Sequence, residues 1–352
     1  MSHVAAPFPF ALGTFSAAGG PAFPGIVLND EVIAIEALRA LCLDLGVGLP
    51  DSSGMFELLQ DWSTTIKALT IAVDRLVLSQ PDTADIRAAF VPVERLHVHA
   101  PLDRPRQVIC TGANYFRHVV DLIVAAGPGD SPDTQGFSPE QLRAHAENIM
   151  KERSRTGDPY MFSKPAACIT RPYHPFLISA HTKKAEWELE LAVVIGKAGR
   201  HISRADALSH VAGYTIANDI TNRDQIWRRD DMKAMGTDWI AGKSSPTYLP
   251  LGPYLVPSAF VQRPQNLRLT LKLNAEVKQD ESTSDMIFDV ARQIEYLSSL
   301  VQLNPGDILC TGSPAGNGAH FNRFLQHDDI VESTITGLGT QRNRCLVEGT
   351  GK

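Results

Sequence analysis

The chain has 352 residues, of which 43% are hydrophobic and 20% are charged, and its formal net charge at pH 7 is -6. This composition suits a soluble globular protein, and the length allows one large domain or a small domain followed by a large one. The negative charge and the lack of a basic stripe argue against a nucleic-acid-binding surface.

The cysteines and the N-terminus indicate a cytoplasmic protein. The five cysteines are scattered and odd in number, and none has a CxxC spacing, so the sequence predicts neither a disulfide framework nor a zinc knuckle. The first twenty residues lack the basic start and sustained apolar core of a signal peptide. No stretch approaches the roughly 18 apolar residues of a membrane helix, so we expect no membrane partner.

The first hundred residues read as a small α+β domain. Short strand-like runs alternate with a helical stretch near 56–77, and "LNDE" at 28–31 is a hairpin signal. "APLDRPRQ" at 100–107 contains two prolines that break regular structure, which indicates a linker. The sequence therefore predicts an N-terminal domain over 1–103 and a larger domain over 104–352.

The larger domain begins with "VICTGANY", which reads as a buried strand ending in a glycine turn. "SPEQLRAHAENIMKERSR" then predicts a helix, with Ser138 as N-cap, Pro139 in the first position and basic residues at its end. The polar segment at about 116–158 is interpreted as an inserted lid or an oligomer contact. From residue 164 onward short strands dominate, with one helix around 289–301, so we expect a β-rich closed or rolled sheet.

The stretch "EWELEL" places Glu186, Glu188 and Glu190 at every second position before the apolar run "AVVIGK". Side chains alternate along a strand, so the three carboxylates would share one face. One interpretation is the solvated face of a half-exposed strand. The other is a cluster held together by a hard cation, which prefers oxygen ligands.

Other polar residues carry weaker signals. Asp219 in "NDITNRD" follows the apolar run "VAGYTIA" and should lie at a strand end, although Asn-Asp is also a common turn pair. "LNPGDILCTGSPAGNG" at 303–318 predicts a strand ending in a small-residue loop that a ligand could approach. A phosphate cradle is the competing interpretation, but the GxxxxGK[ST] order is absent. His97 and His99 share a strand face and could ligate a metal, or could be structural.

Five ordered segments together resemble the fumarylacetoacetate hydrolase family, over roughly residues 105–348. They are "EWELELAVVIGK", "GYTIANDITNRD", Lys243 ahead of "PLGP", "NAEVKQDESTSDMIF" and "LNPGDILCTGSPAG". The resemblance is to a bacterial-type member with an N-terminal extension. It implies an α+β, β-rich fold in which a mixed β-roll or barrel forms the C-terminal domain.

The resemblance favours the cation interpretation of the glutamates. It implies that Glu188, Glu190 and Asp219 bind a divalent cation, while Glu186 lies beside them. An oxygen-only ligand set suits Mg²⁺, with Mn²⁺ or Ca²⁺ as alternatives, rather than zinc.

The segment "GANYFRHVVDL" resembles the family's G-x-N-Y-x-x-H-x-x-E. It implies that His118 and Asp121 form a histidine–acid dyad on a short helix that closes over the metal. A spacing of three puts both on one helical face, where a carboxylate would fix the imidazole tautomer and raise its basicity. Asp121 stands where the family has Glu, and the side chain of Asp is shorter. Lys243 is implied as the third catalytic residue.

The resemblance also implies substrate contacts from Tyr115, Lys164, Gln225 and Ser313. For Lys164, a solvated surface lysine is the alternative interpretation. The family often has Gln at the position of Ile226, so Gln225 is the neighbouring candidate. Ser313 replaces a Thr and keeps the hydroxyl.

The implied reaction is metal-dependent hydrolysis of a C–C bond in a β-diketone or acylpyruvate-type substrate, such as a fumarylacetoacetate-like acid, in catabolism of aromatic or sugar-acid compounds. Decarboxylation or isomerisation of a 2-oxo or hydroxy-diene diacid is the alternative, because the same site can stabilise an enolate. A non-catalytic metal-binding homologue is the third reading. We expect a small keto acid or diketone as substrate and a homodimer.

Overall fold

The computed structural model describes residues 9–78, 84–128 and 133–349. Within these ranges no helix has both the length and the apolar character needed to cross a membrane.

The described N-terminal residues include an antiparallel sheet and four α-helices. The strands are β1 (Ala11–Ser16), β2 (Phe23–Leu28), β3 (Glu31–Ala34), β4 (Val91–Pro92) and β5 (His97–Val98). The helices are α1 (Arg39–Asp44), α2 (Met55–Gln60), α3 (Trp62–Val77) and α4 (Ala84–Ala88). The strand order is β4-β3-β2-β1-β5. Asn29 and Asp30 turn between β2 and β3 with φ of 50° and 62°, as in a type I′ turn, so the predicted hairpin is present.

The larger region contains the remaining strands and helices. The strands are β6 (Val108–Gly112), β7 (Tyr160–Ser163), β8 (Ile169–Thr170), β9 (Phe176–Ile178), β10 (Ala185–Glu186), β11 (Leu189–Ile195), β12 (Val211–Asn218), β13 (Thr221–Asn222), β14 (Leu249–Pro250), β15 (Val256–Pro257), β16 (Arg268–Leu273), β17 (Glu276–Ser282), β18 (Ile308–Cys310), β19 (Ile330–Ile335) and β20 (Gly339–Val347). The helices are α5 (Phe116–Ala126), α6 (Pro139–Thr156), α7 (Trp239–Lys243), α8 (Val290–Leu300) and α9 (Gly318–Phe321).

Two sheets form the body of this region. The first is mixed, in the order β15-β12-β11-β18-β6-β7, and the second has the order β17-β16-β19-β20-β9. Buried side chains of both sheets share one core, including Leu189 and Leu191 from the first and Leu269 and Val331 from the second. The predicted α+β, β-rich fold class is confirmed.

Both faces of strand β11 are buried, which is why its sequence "LELAVVI" is almost wholly apolar. Its odd-numbered positions, such as Leu191 and Val193, pack in the core between the two sheets. Its even-numbered positions Ala192 and Val194 pack in another core with residues of the N-terminal helices, such as Leu58. A strand covered on both faces loses the alternation of a half-exposed strand.

The same shared core bears on the predicted domain boundary. Residues 100–107 carry no regular secondary structure, as expected for a linker. However, the core containing Leu58 and Ala192 includes side chains from both sides of that segment. The division at 103/104 stays a prediction.

The insertion at 116–158 consists mainly of α5 and α6, which pack on each other and on Phe288 through Val120, Ala146 and Met150. Helix α6 begins as predicted, with Ser138 as its N-cap: Ser138 Oγ accepts from the backbone N–H of Gln141. The side-chain oxygen of Gln141 in turn accepts from the backbone N–H of Ser138. Residues 129–132 lie outside the described ranges. A role as lid or oligomer contact stays a prediction.

Candidate functional site

Three carboxylates converge where β12 ends beside the start of β11. One oxygen from each of Glu188, Glu190 and Asp219 lies within 4.8 Å of the others. The antiparallel register pairs Leu189 with Asn218, and the Asp219 N–H donates to Glu188 O at 2.8 Å. Glu190 and Asp219 are 1% and 0% exposed. The interpretation of the glutamates as a solvated strand face is therefore wrong.

The chain at "EWELEL" is not one continuous strand, which corrects the sequence interpretation. Glu186 ends β10, which pairs with β13, whereas β11 starts at Leu189 and pairs with β12. Between them, the Glu188 N–H donates to the side-chain oxygen of Asn218 at 2.9 Å instead of to a strand partner. The break turns Glu188 toward Asp219 while Trp187 stays in the core.

Two lysines contact the same carboxylates. Lys164, directly after β7, donates from Nζ to Asp219 Oδ1 at 2.5 Å. Lys243, the last residue of α7, donates from Nζ to Glu188 Oε2 at 2.7 Å and also to Asp219. Both lysines are buried, at 1% and 3% exposure, so the reading of Lys164 as a solvated lysine is wrong.

The electrostatics of the cluster follow from burial and these contacts. Burial alone would raise the pKa of Asp219, but Lys164 and Lys243 hold it below its usual range. Burial raises the pKa of Glu190 well above its usual range, and the charge of Asp219 adds to the effect. Burial opposes the charge of Lys243, but the carboxylates of Asp219 and Glu188 raise its pKa above the ordinary value. The ammonium groups therefore neutralise part of a strongly negative cluster.

An arginine links Glu186 to the cluster. Arg223 donates to Glu186 and, from Nη2, to Glu188 Oε1 at 2.8 Å. Glu186 also accepts from the backbone N–H of Ala319 at 2.7 Å. Glu186 is thus held by protein groups, in agreement with its expected place beside the cluster rather than in it.

The predicted histidine–acid dyad is not hydrogen-bonded in this structure. His118 and Asp121 lie on α5, but Asp121 accepts from Arg143 Nη2 of α6 at 2.8 Å. Within the described residues no hydrogen bond joins His118 to Asp121. Burial lowers the pKa of His118 to about 4, although the charge of Glu188 opposes this. The arginine competes for the carboxylate because a charge-assisted hydrogen bond is stronger than one to neutral imidazole.

The predicted substrate-contact residues occupy different places. Tyr115 is fully buried, and its hydroxyl has no hydrogen-bond partner among the described residues. Burial raises the pKa of this hydroxyl, and the negative charge of Glu190 raises it further. Ser313 accepts from Gln279 Nε2 at 3.0 Å. Gln225 donates to Thr182 at 3.1 Å, outside the carboxylate cluster. Their roles toward a substrate stay predictions.

Sequence reasoning missed two groups that shape the site. Gln279 of β17 accepts from the backbone N–H of Leu189 at 3.1 Å and donates to Ser313, so it joins β11 to the small-residue loop. The backbone N–H of Gly312, at φ 97°, donates to Glu190 Oε2 at 2.8 Å. The motifs include the segments that contain Gln279 and Gly312, but no sequence signal shows which groups these two residues bind.

The residues present fit a hard divalent cation. Three carboxylates supply oxygen ligands only, and two of them are buried. Lys164 and Lys243 offset part of their negative charge, and a cation would offset the rest. No cysteine or histidine belongs to the group, as a zinc site would favour.

Comparisons with known proteins show what this chain is similar to. The family model described as "Fumarylacetoacetate (FAA) hydrolase C-terminal" matches residues 107–346. "Oxaloacetate tautomerase FAHD2A, mitochondrial" of Bos taurus is 36% identical over 327 residues, covering 90% of this chain and 92% of the relative. "Oxaloacetate tautomerase YisK" of Bacillus subtilis (strain 168) is 35% identical over 258 residues, covering 72% of this chain and 74% of the relative.

A solved structure shares the fold. Maleylpyruvate hydrolase from Sphingobium sp. SYK-6, in complex with manganese(II) ion and pyruvate, matches with a TM-score of 0.66 and 23% identity. The match covers 96% of this chain and 99% of that one. The named relatives are enzymes, and they include tautomerases as well as a hydrolase. The chain belongs to the fumarylacetoacetate hydrolase family.

Proposed function

We propose that the protein is a metal-dependent tautomerase that interconverts the keto and enol forms of a 2-oxo diacid of the oxaloacetate class. The observation that carries the proposal is the convergence of Glu188, Glu190 and Asp219 with the ammonium group of Lys243. Relatives that are 35–36% identical are named oxaloacetate tautomerases, which supports the substrate class.

The three carboxylates would hold one divalent cation, with Mg²⁺ as the first choice and Mn²⁺ or Ca²⁺ as alternatives. Such a cation supplies a Lewis acid that polarises neighbouring substrate oxygens and makes the adjacent C–H more acidic. The manganese complex of the Sphingobium hydrolase supports a divalent ion in this fold.

Lys243 supplies the positive charge that an enolate needs. Its raised pKa keeps it protonated at neutral pH, and its Nζ already lies on carboxylate oxygens of the cluster. An ammonium held in a buried place stabilises developing negative charge more strongly than one in water. Lys243 would therefore bind the enolate oxygen of the substrate.

His118 is the proposed proton carrier. Its pKa of about 4 leaves the imidazole neutral at physiological pH, so a ring nitrogen keeps the lone pair that accepts a proton. The same low pKa makes it a weak base, so the C–H that gives up the proton has to be acidified. Tautomerisation removes one proton from the carbon beside the 2-oxo group and delivers one to oxygen, so no bond between carbon atoms breaks. The imidazole is half-buried on α5, and it lies close enough to Glu188 for that carboxylate to affect its pKa, which places it near the cluster where the proton would be transferred.

C–C hydrolysis of an acylpyruvate is the second candidate, and it was the first expectation from the sequence. It requires His118 to activate water, which an orienting carboxylate would assist. The nearby charge of Asp121 acts on His118 and favours this candidate. The hydrogen bond of Asp121 to Arg143 favours the tautomerase, because enolisation needs no activated water. The proposal keeps a small keto acid as substrate and a homodimer as the assembly.

The experiment compares the two reactions on the same Mg²⁺-loaded protein. Keto–enol exchange of oxaloacetate is followed by the loss of the enol absorbance, and cleavage of an acylpyruvate panel is followed by product mass in ¹⁸O-labelled water. Mg²⁺ without protein corrects for exchange caused by the free ion, and Lys243→Met should lose the enzymatic part. Cleavage with solvent oxygen in the acid product, without accelerated exchange, would replace the tautomerase by the hydrolase.

A further inference from the structure

Two adjoining cavities lie between the N-terminal sheet and the loop that joins β8 to β9. The first has a volume of about 340 Å³ and the second about 660 Å³, and Arg171 and His174 line both. The first is close to the lower end of the roughly 300–1,000 Å³ typical of small-molecule sites. The carboxylates of the candidate active site line neither cavity.

The first cavity combines aromatic walls with positive charge. Tyr173 and Tyr254 contribute rings, and Arg171, His97 and His174 contribute cationic or ionisable groups. Its lining is mostly apolar, and Glu94 is its one carboxylate-bearing residue. A flat, apolar body with one anionic group would match these walls.

The positive charge of Arg171 has no partner in the described structure. Within 9–78, 84–128 and 133–349, its guanidinium has no hydrogen-bond acceptor and no carboxylate partner. Its positive charge reaches the neighbouring imidazole: burial lowers the pKa of His99, and the charges of Arg171 and His97 lower it further. The charge of Asp103 opposes this effect on His99, and Glu94 lines the first cavity, so acidic groups lie nearby although none pairs with the Arg171 guanidinium in the described part of the chain.

The groups around Arg171 are held in place by the protein. Asn343 of β20 donates from Nδ2 to Arg171 O at 3.2 Å and to His174 O at 2.8 Å. His99 is fixed against β1 by a 2.8 Å hydrogen bond to Ser16 Oγ. These hydrogen bonds limit the movement of the backbone that carries Arg171, whereas its exposed side chain would be ordered by the ligand itself.

A metal site is the alternative use of these histidines. Among the described residues, however, the group whose ligand atoms converge for a metal is Glu188, Glu190 and Asp219, and it contains none of these imidazoles. An anion is a better match than a cation for a site where arginine and histidine charges repel each other.

We propose that the first cavity binds a small aromatic or conjugated monocarboxylate, with Arg171 pairing the carboxylate and Tyr173 and Tyr254 contacting the ring. Arginine binds carboxylates in a bidentate manner, and aromatic walls favour a planar ligand. Glu94 would repel a second negative charge, so the site should prefer a monoanion to a dianion. This separates it from the candidate active site, whose proposed substrate is a diacid, and makes it independent of the proposed function.

Calorimetric titration of the Mg²⁺-loaded protein tests the proposal, with excess oxalate present to occupy the active site. The probes are benzoate, the neutral benzyl alcohol and the dianion phthalate. We expect benzoate to bind with one-to-one stoichiometry and more tightly than either of the others. Arg171→Gln should weaken benzoate by about tenfold or more, the value of a charge-assisted hydrogen bond. The matched control Arg95→Gln, an exposed arginine that does not line the cavity, should leave it unchanged.

Glu94→Gln gives an independent measurement, because it should bring phthalate binding close to that of benzoate while keeping the fold. Two results would overturn the proposal. One is the absence of benzoate binding to the unmodified protein. The other is equal benzoate affinity in Arg171→Gln, which would leave Arg171 as a solvated surface cation.

Discussion

Lys164 and Asp219 form an ion pair that is almost completely removed from solvent. The Nζ–Oδ1 distance is 2.5 Å, and the two side chains are 0% and 1% exposed. Two buried charges lose their hydration, and only close pairing compensates for that loss. The pair therefore keeps Asp219 ionised in the protein interior, where the candidate cation site needs a negative ligand.

We first predict that Lys164→Met destabilises the metal-free protein. Removing one partner of a buried pair leaves an uncompensated charge, and because Lys243 still contacts Asp219 we expect a loss of about 3 kcal/mol. Urea unfolding at neutral pH measures it. The matched control is Lys272→Met, whose exposed partner Glu332 lies 3.6 Å away, where we expect less than about 1 kcal/mol. Equal losses in both variants would contradict the prediction.

The second prediction concerns the cation. Titration of chelator-treated protein should show one Mg²⁺ or Mn²⁺ site that is lost in Glu190→Gln and Asp219→Asn. The exposed Glu332→Gln serves as the control. Because the pKa of Glu190 is raised, a proton must leave before the carboxylate can bind, so affinity should be higher at about pH 8 than at about pH 6. Unchanged affinity in both site variants would remove these carboxylates from the ligand set.

The third prediction separates the two residues of the expected dyad. His118→Ala should reduce kcat/KM by roughly 10²–10⁴-fold, the usual contribution of a proton-transfer group. Asp121→Asn should have a much smaller effect, because that carboxylate is engaged by Arg143. Arg143→Gln completes the set, since it frees Asp121 without changing His118. If Asp121→Asn loses as much as His118→Ala, the two residues form the dyad in the working enzyme.

The fourth prediction is a pH dependence that comes from His118. Its pKa is lowered from 6.5 to about 4, so between these values the unfolded chain binds a proton that the folded protein does not. The free energy of unfolding should therefore fall as pH falls from 6.5 to about 4. NMR titration of the imidazole in metal-free protein measures the pKa, and unfolding of His118→Gln should lack this component. An imidazole that titrates near 6.5 would disprove the assignment.

Features that depend on residues a few positions apart were predictable from the sequence. The hairpin turn at Asn29 and Asp30, the N-cap of α6 at Ser138, and the strand end before Asp219 all appear where the pattern placed them. Local backbone preferences and caps act within one turn, so a short window contains the physics that specifies them. The five ordered motifs likewise indicated the family, which the comparisons confirmed.

The partners of the charged residues could not be predicted in this way. Lys164 reaches Asp219 across 55 positions, and Arg143 binds Asp121 across 22. The break before Leu189 depends on the side chain of Asn218, which lies 30 positions from Glu188. In each case several acceptors compete for one donor, and their ranking depends on distance and burial, because both set the strength of a charge interaction. Only the folded chain brings those segments together. The tertiary structure alone therefore decided that Asp219 belongs to the carboxylate cluster and that Asp121 binds Arg143 instead of His118.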